Sequence, residues 1–475
     1  MINLILLFPL LACLILFIFK KGFLNNLMIN IYAVLHFLAS LGFCLFGKDV
    51  LPLPSSQFFA VTPKNFIFLA VMSIVFLAVA IYNNGYMKDY AADVRKARHY
   101  TYMVLFFVFS MTGAILTTNL GAAWVFIEGT TLASAYLIYF HKTKHSIEAA
   151  WKYVFICSIG IALAFVGIIL LTVATGSLNS LFYDDLMNNA QLFNPFWLKL
   201  AFVFILFGIG TKMGLAPVHF WLPDAHAEAP SPISALLSAT LLNSAFLMIL
   251  NVFGVMIAAG ADGYARIMML TMGFLSLFIT AVFVYHINNY KRMLAYSSIE
   301  NMGILIIGAA LGGIGAVAAV IHLIGHSLIK AAFFLTSGNV LELYRTKKIK
   351  SVTGLLKTDK KTGWLWVASF LGIAAFPPSV LFISEFMTVK AMLAQNKIVL
   401  CILFVLLLTI ILFGLAKSVI RMSFSPTEKE IPEKKLSWTM YAPQFVLLAA
   451  AFVLGIFMPQ YVTNVVSALT QAIGF

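Results

Sequence analysis

Long hydrophobic runs separated by short polar stretches make up most of this chain. A helix needs about 20 apolar residues to cross a bilayer, and segmenting the chain on that length predicts fourteen spanning helices. The runs start near residues 2, 23, 65, 100, 119, 147, 197, 231, 264, 295, 314, 363, 396 and 438. No low-complexity linker divides them, so we predict an all-α membrane protein with a single domain, residues 1–475.

Proline interrupts the seventh and the twelfth runs. Pro217 follows Lys212 in FVFILFGIGTKMGLAPVHFWLP, and Pro377 and Pro378 precede Glu385 in FPPSVLFISEFMTVK. Proline frees a backbone carbonyl, which a membrane tolerates only beside protein or a water-filled cavity. Two broken helices five spans apart predict inverted five-helix repeats, spans 4–8 and 9–13. The corresponding residues are 1–99 for spans 1–3, 100–260 and 264–425 for the two repeats, and 438–475 for the fourteenth helix.

Composition also indicates a membrane protein. Of the residues, 62% are hydrophobic and 10% are charged, against about 45–50% and about 25% in soluble domains. The opening run has no basic segment ahead of it and ends at Lys20 and Lys21, so we interpret it as a first span and not as a cleaved signal.

The net charge of +14 follows from the loops. Loops with odd numbers along the chain hold 21 of the 31 basic residues, and even-numbered loops hold 5. The odd-loop residues are Lys20, Lys21, Lys88, Arg95, Lys96, Arg98, Lys142, Lys144, Lys291, Arg292, Arg345, Lys347, Lys348, Lys350, Lys357, Lys360, Lys361, Arg421, Lys429, Lys434 and Lys435, and the even-loop residues are Lys48, Lys64, Lys199, Arg266 and Lys397. By the positive-inside rule, the odd loops face the cytoplasm and both termini face outward. We expect a multi-pass protein of the cell inner membrane, in contact with lipid and without a nucleic-acid partner.

The cysteines argue against a cofactor in this chain. Cys13, Cys44, Cys157 and Cys401 lie in four different apolar segments, whereas iron–sulfur clusters and structural zinc need clustered thiolates. Neither GxGxxG nor GxxxxGK[ST] occurs in the sequence. We therefore expect no metal and no cofactor here, and a driving reaction that other subunits supply.

Glu128 and Lys212 lie inside apolar runs, where a charge costs roughly 2.5–3.5 kcal/mol on insertion scales. An ammonium beside Glu128 would keep the carboxylate ionised, and the carboxylate would hold the proton on Lys212. If the carboxylate moved away, desolvation would favour release of that proton, so the pair predicts a switch. The alternative is a static buried salt bridge, which often adds little stability over an apolar pair.

The eleventh span carries a row of ionisable groups. His322, His326 and Lys330 recur every four residues, so on a helix they share one face over about 12 Å. Histidine titrates near neutral pH and can donate and accept, which is typical of a proton relay. Glu385, after the second break, is a candidate terminal carrier, or alternatively a helix-end carboxylate near the membrane surface.

Polar residues of the eighth span complete the candidate path. Ser238, Asn243 and Ser244 could line water between the two halves. The connection PDAHAEAPSP contributes His226 and Glu228, which we interpret as mainly structural residues. A gating role for these two, together with Pro217 and Pro377, stays open.

Four blocks resemble a known family: GTKMGLAPVHFWLPDAHAEAPSPISALLSATLLN, IEGTTLASAYLIYF, YKRMLAYSSIENMG and HSLIKAAFFLTSGNV. They are similar to the antiporter-like subunits of respiratory complex I, group 4 membrane-bound hydrogenases and multisubunit cation/proton antiporters. EGTTLASA, AYSSIENMG and LLNSAF most resemble the hydrogenase-4 component F type. The resemblance implies fourteen helices, inverted five-helix repeats and a polar axis at mid-membrane.

The resemblance also assigns roles by position. It matches Glu128 to the family's glutamate of helix 5, Lys212 to the lysine of helix 7, and Glu385 to the carrier of helix 12. His326 and Lys330 match a His-x3-Lys pattern of helix 11. Many members have a lysine on helix 8 where this chain has Asn243, an asparagine that the hydrogenase-4 type shares. Asparagine hydrogen-bonds water but does not hold a proton near neutral pH.

The leading hypothesis is a proton-translocating subunit of a membrane-bound, energy-converting oxidoreductase such as hydrogenase-4, formate hydrogenlyase or a complex I-like enzyme. Its partners would be other membrane subunits and, through them, peripheral Ni–Fe and Fe–S subunits. One alternative is a subunit of a non-redox cation/proton antiporter or of an inorganic-carbon uptake complex. The other is a non-conducting structural anchor, which Asn243 favours.

Overall fold

The computed structural model describes residues 2–46, 57–90, 93–426 and 435–475. Over these ranges the regular secondary structure is helical, with three isolated β-bridges and no extended strand. Lys48, Lys429 and Lys434, three of the loop charges counted above, lie outside the described residues.

The helices, in chain order, are α1 (Ile2–Phe19), α2 (Gly22–Phe46), α3 (Phe66–Tyr86), α4 (Val94–Leu116), α5 (Leu120–Ile138), α6 (Lys144–Thr175), α7 (Tyr183–Asn188), α8 (Pro195–Met213), α9 (Trp221–Glu228), α10 (Ser231–Leu236), α11 (Leu242–Ala258), α12 (Asp262–Phe283), α13 (Tyr290–Leu311), α14 (Ile314–Tyr344), α15 (Leu355–Thr358), α16 (Lys360–Ile373), α17 (Val380–Ala394), α18 (Ile398–Phe424), α19 (Ala442–Ile456) and α20 (Gln460–Ile473).

The helices confirm an all-α membrane protein. Thirteen helical segments of the described chain are long and apolar enough to cross a membrane. With 14 and 15 residues, α16 and α17 are each too short to cross alone. Together they make the twelfth predicted crossing, broken at residues 374–379.

The C-terminal segment differs from the single fourteenth helix expected over residues 438–475. The crossing helix α19 ends at Ile456, and α20 follows as a separate helix. Val466, Leu469 and Ile473 form the buried face of α20, and the Tyr461 hydroxyl donates to the Cys44 carbonyl at 3.4 Å. The amphipathic helix α20 therefore packs against the other helices.

Consecutive crossings place odd-numbered loops at one end of the bundle and even-numbered loops at the other. The contacts between loops agree with this alternation. Lys64 and Asp184, from even-numbered loops, form an ion pair at 3.5 Å. On the odd-numbered side, Lys347 pairs with Glu228 at 3.0 Å. Loops of one parity thus meet at one end of the helix bundle.

The two five-helix repeats have opposite orientations. Asn119 caps α5 and forms a β-bridge with Phe182, in the segment that follows α6. Asn289 caps α13 and forms a β-bridge with Lys348, in the segment that follows α14. The first bridge lies among the even loops and the second among the odd loops, so the same pairing recurs upside down.

The two helix breaks share one turn geometry. After α8, the Leu215 N–H donates to the Gly210 carbonyl at 2.9 Å. After α16, the Phe376 N–H donates to the Leu371 carbonyl at 3.0 Å. Each pair is five residues apart, a pattern typical of helix C-termini.

Superposing the two turns aligns the residues around one break with those around the other. In this alignment the two ionisable residues, Lys212 and Glu385, fall at different positions. Lys212, two residues before Gly214, aligns with Ile373. Glu385, seven residues after Pro378, aligns with Asp224. The lysine therefore precedes its break, whereas the glutamate follows the other break.

The most deeply buried crossings lie in the middle of the chain. The apolar window of α13 is 94% buried, those of α14 and of the eighth crossing, Ser231–Ala258, are each 89% buried, and that of α1 is 22% buried. Helices α13 and α14 and the eighth crossing therefore form the centre of the bundle, and α1 lies at its edge.

Close packing of α6 on α8 fixes the approach to the first break. A Cβ atom on Gly208 would lie 2.6 Å from the Gly160 carbonyl oxygen and closer still to the Ala164 backbone nitrogen. Both neighbours are backbone atoms, so neither can move aside independently. Only glycine fits at residue 208.

We predict that Gly208→Ala separates α6 from α8 and destabilises the protein by about 1–3 kcal/mol, the usual cost of overpacking. Thermal unfolding in detergent, followed by size-exclusion chromatography, measures the effect. Gly263→Ala is the control, because a Cβ there meets nothing within 4 Å. Equal unfolding temperatures for the two variants would show that the helix contact is looser than described.

Candidate functional site

Lys212 lies fully buried in the last turn of α8. The helix ends one residue later, and Gly214 adopts a left-handed conformation with φ of +76°. The last carbonyls of a helix carry partial negative charge, so the break provides a favourable environment for the ammonium. The Lys212 Nζ donates to the Tyr153 hydroxyl at 2.8 Å and lies 4.8 Å from the centre of that ring.

The break that holds Lys212 is anchored on two sides. The indole N–H of Trp221 donates to the Thr211 carbonyl at 2.7 Å. The backbone N–H of Ala216 donates to the Ser276 hydroxyl at 2.9 Å, which attaches the break to α12. Backbone groups freed by the interruption thus find protein partners, as membrane burial requires.

Glu128 lies on α5, half-buried, and its carboxylate accepts a hydrogen bond from Thr131 at 3.2 Å. It lies close enough to Lys212 to interact electrostatically. Among the described residues the two form no direct ion pair within 4.0 Å. Tyr153 connects the two sides instead, because its hydroxyl pairs with Ser134 of α5 at 2.6 Å while accepting from Lys212.

The row on α14 is buried along its whole length: His322, His326 and Lys330 are each 0% exposed. His322 Nδ1 pairs with the Ser384 hydroxyl at 2.9 Å, and Nε2 pairs with Asn301 Oδ1 at 3.0 Å. This histidine therefore joins α13, α14 and α17. Each of its ring nitrogens has a side-chain partner.

Lys330 and His326 differ in their hydrogen bonding. Lys330 Nζ donates to the Leu294 carbonyl of α13 at 2.7 Å. Neither ring nitrogen of His326 reaches hydrogen-bond geometry with a described protein group, although the Ser238 backbone lies nearby. Buried polar atoms are almost always paired, so His326 is a position where water is needed.

Asn243 and Ser238 lie where the two repeats meet. Asn243 Nδ2 donates to the Ser327 hydroxyl of α14 at 2.7 Å, and its Oδ1 has no hydrogen-bond partner among the described residues. Ser238 pairs with Ser298 of α13 at 2.8 Å. These contacts link the eighth crossing to α13 and α14.

A π-helical turn, Leu237–Leu241, contains Ser238 and separates α10 from α11. Single π-helical turns within α-helices are frequent at functional sites. Ser244, by contrast, donates to the Thr240 carbonyl of its own helix at 3.0 Å. Its hydroxyl is therefore engaged within the helix and does not contact α14 in this arrangement.

The connection that contains α9 lies at the odd-loop end of the bundle. Glu228 pairs with Lys347, and Asp224 pairs with Lys152 at 3.2 Å and also with Arg292. These contacts attach α9 to segments near α6, α13 and α14. The acidic residues of this connection therefore form structural ion pairs.

His226 of α9 is buried and stacks on Phe334 of α14, with ring centres 4.7 Å apart and planes at 16°. Its ring nitrogens have no hydrogen-bond partner among the described residues. Pro217 lies in the break after α8, and Pro377 lies in the break before α17. The four candidate gating residues are thus distributed between the odd-loop end and the two breaks.

Glu385 of α17 lines a cavity of about 250 Å³ together with Glu300 of α13. Glu300 is 6% exposed, and its Oε2 has no hydrogen-bond partner among the described residues. Glu385 was predicted from the sequence, whereas Glu300 was not. An acidic residue inside an apolar run, as in SSIENMGILIIG, was the available signal.

Tyr153, Asn301 and Ser384 were also missed, and they had no comparable signal. All three are uncharged residues, so they do not stand out in an apolar run as an ionisable residue does. Their importance follows from contacts with residues that are distant in sequence: 59 positions separate Tyr153 from Lys212. Local pattern does not reveal such contacts.

We predict that Tyr153→Phe destabilises the protein by about 1.5–3 kcal/mol, the usual contribution of a hydrogen bond that involves a charged group, because the buried ammonium of Lys212 loses its hydroxyl acceptor. The fall in unfolding temperature in detergent measures this effect. Tyr285→Phe, at a tyrosine that is 46% exposed, is the matched control. If both substitutions lower the unfolding temperature equally, the Tyr153–Lys212 contact contributes little.

Comparison with known proteins identifies relatives of this chain. Residues 117–411 match the family described as NADH:quinone oxidoreductase/Mrp antiporter, TM. The hydrogenase-4 component F homolog of Methylacidiphilum infernorum is 33% identical, over 97% of this chain and 97% of that protein. Hydrogenase-4 component B of Escherichia coli is 28% identical, over 69% of this chain and 50% of that protein. A Na(+)/H(+) antiporter subunit of Alkalihalophilus pseudofirmus is 30% identical, over 64% of this chain and 62% of that protein.

Two solved structures have the same fold. The Mrp complex from Dietzia sp. DQ12-45-1b contains a chain that matches with a TM-score of 0.87 at 18% identity, over 99% of this chain and 97% of that one. A chain of the archaeal membrane-bound sulfane sulfur reductase matches with a TM-score of 0.86 at 22% identity, with the same coverages. Both relationships concern the fold.

Proposed function

Because this chain belongs to the NADH:quinone oxidoreductase/Mrp antiporter transmembrane family and is an antiporter-like membrane subunit, we propose that it translocates protons within a membrane-bound, energy-converting oxidoreductase. The observation that carries the proposal is the row of buried ionisable groups, Lys212, His322, His326 and Lys330, each 0% exposed. Their burial is costly in an apolar interior, and proton transfer gives a reason to keep them there.

The redox assignment rests on relatedness. The match to the hydrogenase-4 component F homolog extends over 97% of both chains, and other relatives are also components of multi-subunit complexes. This chain would contact other membrane subunits, which connect it to peripheral Ni–Fe and Fe–S subunits that supply the driving reaction. No cofactor in this chain is needed for that role.

The first transfer takes place at the break of α8. When the Glu128 carboxylate moves away, desolvation disfavours the charge on Lys212. The ammonium then gives a proton to the Tyr153 hydroxyl while that hydroxyl passes its own proton to water leading toward Asn243, which leaves Lys212 as an amine and the tyrosine neutral. The return of Glu128 favours reprotonation from the odd-loop side. Tyrosine suits this position because its hydroxyl can donate and accept.

The central transfer passes from the first repeat to the second. Asn243 and Ser327 hold water by hydrogen bonding, because an amide does not itself carry the proton. His326, whose ring nitrogens need partners, takes the proton from that water and passes it to Lys330 one turn away. His322 orients the exit side through Asn301 and Ser384.

The second repeat completes the path at Glu385. This carboxylate lies beyond the break of the twelfth crossing and lines the cavity that opens between α13 and α18. It exchanges the proton with the even-loop side. His226, next to Phe334 of the same helix as Lys330, is a candidate gate at the odd-loop end.

A non-redox cation/proton antiporter is the second candidate. The observation in its favour is the match to the Na(+)/H(+) antiporter protein of A. pseudofirmus, at 30% identity over 64% of this chain. The same buried residues would then exchange protons for a cation gradient. Copurified Ni–Fe or Fe–S subunits support the redox complex, and sodium-dependent proton flux without them supports the antiporter.

We predict that Lys212→Met in the intact complex abolishes proton uptake into membrane vesicles during turnover, because methionine keeps the volume but carries no proton. A pH-sensitive dye measures uptake, and copurification of partner subunits measures assembly. Lys417→Met, at an exposed lysine of α18, is the control. Unchanged uptake in Lys212→Met with normal assembly would favour the structural-anchor alternative.

We further propose that the odd loops face the cytoplasm of a cell inner membrane. Single cysteines test this in a variant without the four native ones: Asp184→Cys on the even side and Lys348→Cys on the odd side. An impermeant maleimide should label Asp184→Cys in intact spheroplasts, and Lys348→Cys only after permeabilisation. The reverse labelling would invert the assigned topology.

A further inference from the structure

Glu300 is a buried ionisable residue that the proposed path does not use. It lies on α13, the most deeply buried crossing. Its Oε2 has no hydrogen-bond partner among the described residues, and the side chain lines the same cavity as Glu385. A carboxylate in this position needs a positive charge or a proton to be stable.

The cavity concentrates negative charge. Apart from the two carboxylates its lining is mostly apolar, including Phe382, Phe404 and Leu412. The hydroxyl of Thr409 is engaged with the Val405 carbonyl of its own helix at 2.8 Å. The volume of about 250 Å³ accommodates several waters, at about 30 Å³ each.

The second helix break adds to this negative potential. The helix α16 ends at Ile373, and Ala374 and Ala375 line the cavity directly after it. The C-terminus of a helix carries about half a negative elementary charge. Two carboxylates and a helix C-terminus therefore face one small space.

Lys330 is the cation nearest to this arrangement along the proposed path. Its electrostatic partner is Glu300, and Glu300 in turn interacts electrostatically with Glu385. Lys330 Nζ contacts the Leu294 carbonyl, which lies six residues before Glu300 on α13. That separation is about 9 Å along the helix axis, a distance that lysine rotation and one water can span.

We propose that Glu300 carries the proton from Lys330 to Glu385, and that the two glutamates share one proton. The inference rests on the proposed function, since it requires protons to pass through Lys330. In the first step the ammonium loses a proton to the Glu300 carboxylate, leaving an amine and a carboxylic acid. In the second, Glu385 releases the proton that the pair already shared toward the even-loop side, and the Glu300 acid then gives its own proton to the Glu385 carboxylate and becomes ionised again.

Electrostatics favours one proton for the pair. Two adjacent carboxylates in one site do not both stay ionised, because like charges repel. With Lys330 charged, one shared proton leaves the three groups neutral together. A metal cation would need about six oxygen ligands, whereas the described lining offers two carboxylates among apolar side chains.

When the two repeats are aligned, the pair formed by Glu300 and Glu385 is specific to the second repeat. Aligning the caps Asn119 and Asn289 places Glu128 opposite Ser298, two residues before Glu300. Glu300 therefore does not occupy the position of Glu128. The first repeat pairs a lysine with a glutamate through Tyr153, and the second pairs two glutamates beside a lysine.

The experiment uses the intact complex in proteoliposomes and measures proton uptake during turnover. Glu300→Gln should lower uptake by about 10²-fold, the scale of a lost positioned proton carrier, with normal subunit assembly. Glu300→Asp, which keeps a carboxyl group, should retain most of the uptake. Asp262→Asn, at a surface ion pair with Arg266, is the matched control and should behave as the unsubstituted protein.

The pH profile distinguishes a carrier from a structural residue. Glu300→Gln should remove one ionisation from the pH dependence of the residual uptake, which a purely structural change would leave in place. Uptake that depends on sodium and not on pH would overturn the shared proton, because the cavity would then hold a metal cation.

Measuring Lys212→Met in parallel separates the hypothesis that Glu300 carries protons from the hypothesis that the protein translocates protons at all. If Lys212→Met abolishes uptake and Glu300→Gln leaves it unchanged, the role of Glu300 is wrong and the proposed function stands. If neither substitution affects uptake, both fail. Loss in both, with retention in Glu300→Asp, supports both.

Discussion

Burying charge in an apolar interior is the constraint on which the rest of this structure depends. Among the described residues, three buried lysines meet it in the same way, each through an oxygen acceptor on a neighbouring helix or connection. Lys212 donates to the Tyr153 hydroxyl, Lys330 to the Leu294 carbonyl and Lys291 to the Ala229 carbonyl. The interruption after α8 supplies further polar backbone beside Lys212. Position, partner and helix break are therefore consequences of a single requirement.

The inverted repeats meet that requirement with different chemistry. The turn geometry of the two breaks is shared, yet Lys212 aligns with Ile373 and Glu385 aligns with Asp224. Asp224 is used in ion pairs at the odd-loop end. The first repeat thus centres on a cation before its break, and the second centres on carboxylates after its break. The two ends of the row of ionisable groups therefore differ in their chemistry.

Much of the fold could be predicted from the sequence because spanning helices are read directly from apolar runs. Lys212 and Glu385 were visible for the same reason, since a charge stands out in such a run. Helix α20 was not recognised, because an amphipathic helix lacks a continuous apolar stretch. Tyr153 and Ser384 act through contacts between distant segments, which a single sequence does not specify. Glu300 carried a readable signal, and its partner in the cavity became evident only from the packing of α13 against α17.

The central claim is that a hydrated row of titratable groups joins the two repeats. A cryo-electron microscopy map of the intact complex that resolves ordered waters tests it most directly. The account predicts waters between Lys212, Asn243 Oδ1 and His326, and continuing from Lys330 to the Glu300–Glu385 cavity. A dry apolar barrier between Lys212 and His326, with the lysine enclosed by protein and without water, would contradict it.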